Sequence, residues 1–188
     1  TVTVNSPTND IPVASAGSDQ TVTDNDNTGS ETVTLDGSGS YDSDGTISSY
    51  SWLEGGSELA TGATPSVSLS TGTHTITLEV TDDAGATSTN DVTITVNDPP
   101  LADAGGDQTV TDSDSDGTHT VTLDGSGSSD SDGTISSYSW LEGGSEIATG
   151  ATPSVSLATG THTITLEVTD DVGVTATDEV NVIITDIP

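Results

Sequence analysis

The chain has 188 residues, with 31 Asp and Glu and not one Lys or Arg, so its formal net charge is -31 at pH 7. Without cationic side chains it cannot neutralise phosphates, which excludes nucleic-acid binding and electrostatic docking on an anionic membrane, and no apolar run approaches the roughly 20 residues of a membrane span. The absence of Cys excludes disulfides, thiolate metal sites and cysteine nucleophiles.

Leu, Ile and Val make up about a fifth of the chain, and with this charge that composition is typical of disorder. The pattern overrules it. Displaced by 88 positions, residues 11–98 fall on residues 99–186 without a gap, and 66 of the 88 pairs are identical. In chain order, Val2–Asn5 (VTVN) resembles the ITVN of Ile94–Asn97 that closes the first repeat, so residues 1–10 are expected to be the tail of a preceding repeat and a linker. The first repeat follows the boundary Asn9-Asp10-Ile11-Pro12. Val33 and Leu35 share one face of a strand. Asp42-x-Asp44-Gly45 makes a turn into a strand opened by Ile47, on which Tyr50 and Trp52 share a face. Ile76, Leu78 and Val80 alternate with Thr75, Thr77 and Glu79, and Val92, Ile94 and Val96 form the last strand. The boundary recurs at Asn97-Asp98-Pro99-Pro100, the second repeat occupies 99–186, and residues 187–188 begin the next linker. No signal segment precedes Thr1, and both ends are expected to be cuts from a longer array. Runs of Thr and Val, turn clusters at short intervals and no 3.6-residue period predict an all-β chain of two tandem β-sandwiches, about seven strands each. So thin a core predicts marginal stability without help from elsewhere.

The segments AGSDQTV (Ala16–Val22), VTLDGSGS (Val33–Ser40), DSDGTISSYSW (Asp42–Trp52) and GTHTITLEVTDDAG (Gly72–Gly85), all recurring in the second repeat, resemble the polycystic kidney disease (PKD) domain family. The resemblance covers each repeat end to end and implies an immunoglobulin-like sandwich. It also implies an extracellular or cell-surface setting, a spacer or binding role rather than catalysis, and calcium near the start of the domain in some bacterial members. One departure stands out: many members continue after the Trp with Asp-Phe-Gly-Asp-Gly, and here the run is Leu53-Glu54-Gly55-Gly56.

Calcium takes roughly six to eight hard oxygen ligands, and short-spaced Asp residues on a Gly-containing turn can supply them. In an immunoglobulin-like topology three acidic segments meet at one pole. They are the linker (Asn9 and Asp10; Asn97 and Asp98), the D-x-D loop (Asp42 and Asp44; Asp130 and Asp132), and the loop after the sixth strand (Asp82 and Asp83; Asp170 and Asp171). Calcium-binding relatives use the linker, the D-x-D loop and the Asp of the V-T-D turn, which the resemblance carries onto Asn9, Asp42, Asp44 and Asp82, and onto Asn97, Asp130, Asp132 and Asp170. The competing reading is that Asp-Gly and Asp-Ser simply favour turns, and the sequence leaves both open. A second cluster, Asp112-Ser-Asp114-Ser-Asp116-Gly117, opens like an EF-hand loop but has Leu123 at the twelfth position, which rejects that motif. Its counterpart is Asp24-Asn-Asp26-Asn-Thr28-Gly29. An ion at this opposite pole would bridge neighbouring domains; a solvated acidic turn is the alternative.

The remaining candidates read as structure. His74 and His162 open a strand in phase with Ile76 and Ile164, and His119 stands where the first repeat has Glu31. None has zinc spacing. Gly37-Ser38-Gly39-Ser40 is not the G-x-S-x-G elbow, so no enzyme is expected. Trp52 and Trp140 lie where sandwiches bury a Trp, with stacking on sugar rings as the alternative. The expected function is that of calcium-stiffened extracellular spacer repeats in a larger surface protein or adhesin, partnered by neighbouring repeats and by other surface subunits or an extracellular polymer. A polysaccharide- or fibre-binding module and a subunit of a self-assembling filament are the alternatives.

Overall fold

The structure, a computed structural model, describes residues 8–187. The expected tail of a preceding repeat at residues 1–7, and Pro188, lie outside the described residues. The chain divides into two compact units, Thr1–Asn97 and Asp98–Pro188, and each is an all-β sandwich of seven strands with no helix among the described residues.

The first unit contains β1 (Gln20–Thr23), β2 (Ser30–Thr34), β3 (Ile47–Glu54), β4 (Ser57–Thr61), β5 (Ser66–Ser70), β6 (Gly72–Asp82) and β7 (Thr87–Asn97). One sheet has the order β1-β7-β6-β3-β4, and β2 pairs with β5 to form the other. The β1 strand runs parallel to β7, Gln20 opposite Ile94, and the rest of the large sheet is antiparallel. The second unit repeats this with β8 (Gln108–Asp112), β9 (Thr118–Thr122), β10 (Ile135–Glu142), β11 (Ser145–Thr149), β12 (Ser154–Ala158), β13 (Gly160–Asp170) and β14 (Thr175–Asp186), ordered β11-β10-β13-β14-β8 beside β12-β9.

The predicted alternation sets the core. Ile76, Leu78 and Val80 of β6 and Val92, Ile94 and Val96 of β7 are buried, together with Val33, Leu35, Val67, Leu69 and Trp52. Intervening Thr residues face outward, as a half-buried pleat requires. Trp52 and Trp140 are fully buried, and their indole Nε1–H groups donate to Gly62 O at 3.0 Å and Gly150 O at 2.9 Å. Burial of the rings agrees with the core reading and removes them from any sugar-stacking surface. Ile47 has the opposite parity to Tyr50 and Trp52, yet all three pack on the same core. A register shift against β6 between Ile47 and Ser49 makes this possible.

The Leu53-Glu54-Gly55-Gly56 run has a clear structural consequence. Glu54 pairs with Ser57, so Gly55 and Gly56 form a two-residue hairpin loop with φ of 55° and 83°. Positive φ at both central positions is the condition for a type I′ turn, whose twist matches that of the strands. This tight turn leaves Glu54 at the hairpin end, where its Oε1 lies 2.6 Å from His74 Nδ1, while His74 Nε2 lies 2.8 Å from Ser70 O. His162 repeats the arrangement with Glu142 at 2.6 Å and Ala158 O at 2.9 Å. Both ring nitrogens face acceptors, an arrangement that only the imidazolium satisfies fully. Partial burial opposes the charge on His74, but the Ser70 carbonyl and Glu54 outweigh it and raise its pKa. For His162, the hydrogen bond to Glu142 leads the same upward shift. A folded pKa above the unfolded value of about 6.5 means that this stabilisation is complete below pH 6.5 and is lost as pH rises through the folded pKa. The unfolding midpoint at constant ionic strength is expected to decline from pH 6.5 to 8.5. His74→Gln with His162→Gln should flatten that decline.

Candidate functional site

The acidic pole of the first domain is assembled by three segments. The D-x-D turn precedes β3, the β6–β7 turn follows Asp82, and the incoming linker crosses both. The backbone N–H of Asp10 donates to both Asp44 carboxylate oxygens at 3.2 Å, and Ser43 Oγ–H donates to Asp10 Oδ2 at 2.8 Å. Asn9 Nδ2 donates to Asp82 Oδ2 at 2.8 Å. The linker is therefore held by the side chains of Asp44, Ser43 and Asp82.

Their individual roles differ. Asp82 continues the inward parity of Ile76, Leu78 and Val80 and is only 2% exposed. Its Oδ1 accepts from Ala84 N at 2.9 Å and Ala86 N at 2.8 Å, closing the β6–β7 turn. The Asn9 amide leads the interactions that hold Asp82 below its ordinary pKa. Asp42 is the opposite case. Its Oδ1 receives only a long contact from Asp44 N at 3.5 Å, and its Oδ2 is buried with no hydrogen-bond partner. Burial, with the Asp44 and Asp82 charges beside it, raises the pKa of Asp42.

Asp83, placed at this pole by the sequence, lies outside the ligand set that the resemblance implies. Its Oδ1 accepts from Thr46 N at 2.8 Å, and a Cβ at Gly45 would collide with that oxygen and lie 2.6 Å from Asp42 Oδ2. The two carboxylates therefore converge on the space in front of Gly45. The doubled Asp of V-T-D-D was the available signal. Strand parity buries Asp82 and delivers its neighbour to the loop. Gly45→Ala is expected to cost roughly 1–3 kcal/mol by overpacking and to displace the Asp42–Asp83 pair. Calorimetry of the variant against Gly55→Ala, whose Cβ meets nothing within 4 Å but which sits at positive φ, separates crowding from backbone effects.

The second domain repeats the pole. Asp98 N donates to Asp132 Oδ1 at 3.3 Å and Oδ2 at 3.2 Å, and Ser131 Oγ–H donates to Asp98 Oδ2 at 2.6 Å. Asp170 Oδ1 accepts from Val172, Gly173 and Val174 N at 2.9, 2.6 and 2.8 Å. Asp171 Oδ1 accepts from Thr134 N at 2.8 Å. Asp130 Oδ2 is buried with no hydrogen-bond partner, and burial, followed by the charges of Asp132 and Asp170, raises its pKa. Asn97 ends β7 of the first domain, where it is 3% exposed and its carbonyl accepts from Asp24 N at 2.9 Å.

Comparison with known families decides what this architecture is. Residues 16–96 and again 104–184 match the family described as K319L-like, PKD domain. The chain belongs to the PKD family. Among solved structures, the solution structure of the PKD domain from KIAA 1837 protein is 33% identical, covering 46% of this chain and 86% of that one with a TM-score of 0.37. The PKD1 domain of Vibrio anguillarum Epp is 31% identical, covering 47% of this chain and 99% of that one with a TM-score of 0.36. The titin fragment I67-I69 is 12% identical but covers 93% of this chain and 66% of that one with a TM-score of 0.54, a likeness of fold alone.

At the other end of each PKD domain, the β1–β2 and β8–β9 loops hold the weaker candidates. Asp24 is fully buried; its Oδ1 accepts from Thr28 N at 3.3 Å and its Oδ2 from Gly29 N at 2.6 Å, while Asp26 Oδ1 accepts from Thr28 N at 3.2 Å. This loop is a satisfied turn. Among the described residues, the one group of three carboxylates whose oxygens lie within 4.8 Å of one another is Asp112, Asp114 and Asp116. The predicted Asp42, Asp44 and Asp82 do not form such a group: Asp44 accepts from the Asp10 N–H, and Asp82 from the Ala84 and Ala86 N–H groups and the Asn9 amide.

Proposed function

We propose that the two PKD domains are non-catalytic spacer repeats of an extracellular surface protein, and that calcium fastens the incoming linker of each domain to its D-x-D loop. The observation that carries this reading is the buried Oδ2 of Asp42, repeated at Asp130, which has no hydrogen-bond partner. A buried acceptor left without a partner costs free energy, and this chain has no Lys or Arg to provide one. The donors are all oxygens, which suits a hard cation. Asp42, Asp83 and the Asn9 amide oxygen would hold the ion in the first domain, with Asp44 and Asp10 beside them. Asp130, Asp171 and Asp132 would do so in the second. The ion would supply charge neutralisation and would tie the linker to the sandwich.

A spacer role is supported by the full burial of Trp52 and Trp140, which leaves neither indole free to stack on a sugar. The near-identity of the repeats also supports it, since a recognition face often differs between copies. PKD domains are commonly extracellular. Hydrogen exchange tests the fastening directly. Calcium is expected to slow exchange of the Asp10 and Asp98 amides, and Asp42→Asn with Asp130→Asn should abolish the effect. Equal slowing by NaCl at matched ionic strength would overturn the proposal.

A further inference from the structure

The β1–β2 and β8–β9 loops begin with the same buried aspartate and treat it differently. Asp24 and Asp112 are both fully buried. Asn27 and Ser115 occupy matching positions with φ of 51° and 55°, so the two loops follow the same local course. In each, one aspartate oxygen is capped by the following glycine: Asp24 Oδ2 by Gly29 N at 2.6 Å, and Asp112 Oδ2 by Gly117 N at 2.9 Å. The second oxygen separates them. Asp24 Oδ1 accepts from Thr28 N. Asp112 Oδ1 is buried with no hydrogen-bond partner. The residue aligned with Thr28 is Asp116, and its carboxylate joins Asp114 and Asp112 within 4.8 Å.

We propose that the β8–β9 loop of the second domain is a divalent-cation site of the calcium type, formed by Asp112, Asp114 and Asp116, which the first domain lacks. An orphaned carboxylate oxygen inside a protein is ordinarily matched by a donor, a water or an ion. Three converging carboxylates exclude an anionic or neutral apolar ligand, and no cationic side chain exists in this chain to take the place of a metal. Three carboxylates on one contiguous exposed loop correspond to the weak end of the calcium scale, ~10⁻⁴–10⁻³ M, where extracellular modules fall. The loops differ at three positions, Asn25, Asn27 and Thr28 against Ser113, Ser115 and Asp116, and of these only the last adds a carboxylate. This inference does not depend on the linker poles.

The test is a CaCl2 titration of the ¹⁵N-labelled full chain followed by amide shifts. Gly117 and Thr118 are expected to shift saturably in the millimolar range, while Thr28 and Gly29 stay near their starting positions. Asp114→Asn with Asp116→Asn should abolish the Gly117 shift. Thr28→Asp should confer a saturable shift on Gly29, and because it adds a ligand to an intact loop it keeps the proposal testable if the double variant unfolds. Thr46 and Ala86 report the linker pole of the first domain separately, so failure of either site is visible without the other. A Gly117 shift no larger than that of Gly29, or one reproduced by NaCl at equal ionic strength, would overturn the proposal.

Discussion

Millimolar CaCl2 is expected to raise the unfolding midpoint of the EDTA-treated chain by roughly 10–20 °C. A ligand at 100 times its Kd that binds only the folded state contributes about 2.7 kcal/mol. One kcal/mol moves the midpoint of a 60–100-residue domain by about 4–8 °C. NaCl is the control that gives the result its meaning. Raising ionic strength from 0.1 M to 1 M shortens the screening length from about 10 Å to about 3 Å, which relieves general repulsion at a net charge of -31 without supplying a ligand to Asp42 or Asp130. A calcium effect that 1 M NaCl does not reproduce supports specific sites. Equal stabilisation by the two salts would return the D-x-D loops to turn chemistry and point to a surface adapted to high salt. Within the calcium effect, Asp42→Asn should remove the contribution of the first domain. Losing one negative charge alone would stabilise, so a fall in the calcium-bound midpoint identifies lost ligation.

Trp52→Ala is expected to cost about 3–5 kcal/mol and to abolish the cooperative transition of the first domain. A domain of this size has about 4–13 kcal/mol in total, and Trp52 is the largest fully buried side chain of a core otherwise made of Val, Leu, Ile and Ala. The substitution opens a cavity beside Gly37, where a Cβ would stand 3.0 Å from the indole Cζ2, and leaves Gly62 O without its donor. The second domain has its own core around Trp140, so Trp140 fluorescence should still report an unfolding transition. Calorimetry and fluorescence of the variant check both parts. A midpoint drop below about 5 °C would mean that the ring is dispensable to the core and would revive the sugar-stacking reading.

The fold was legible because its signals are local. Two-residue alternation in Ile76-Leu78-Val80 and Val92-Ile94-Val96 depends on neighbours along the strand, and the 88-residue repeat required two copies of the same solution. The linker and D-x-D segments were also legible as a pole, since Asn9, Asp10, Asp42 and Asp44 sit at strand ends that the topology brings together. The roles within the pole were not. Asp82 and Asp83 are adjacent and chemically identical, yet parity along β6 buries one in a turn and turns the other toward Gly45. The bulge that aligns Ile47 with Tyr50 and Trp52 leaves no trace in the apolar spacing, and the Glu54–His74 pair depends on where the Gly55-Gly56 turn releases the chain.

By itself, the sequence determined the all-β class, the two-domain repeat, the alternating core and the acidic character of the loops, all of which follow from composition and short-range periodicity. Only the tertiary structure decided which carboxylates are satisfied and which are not. Thr46 N reaches Asp83 across 37 residues and Asn9 reaches Asp82 across 73. Asp24 and Asp112, equivalent in sequence, differ in the partner each second oxygen finds. The physical reason is that a carboxylate's state is set by the donors that the fold places around it, and those donors come from distant parts of the chain.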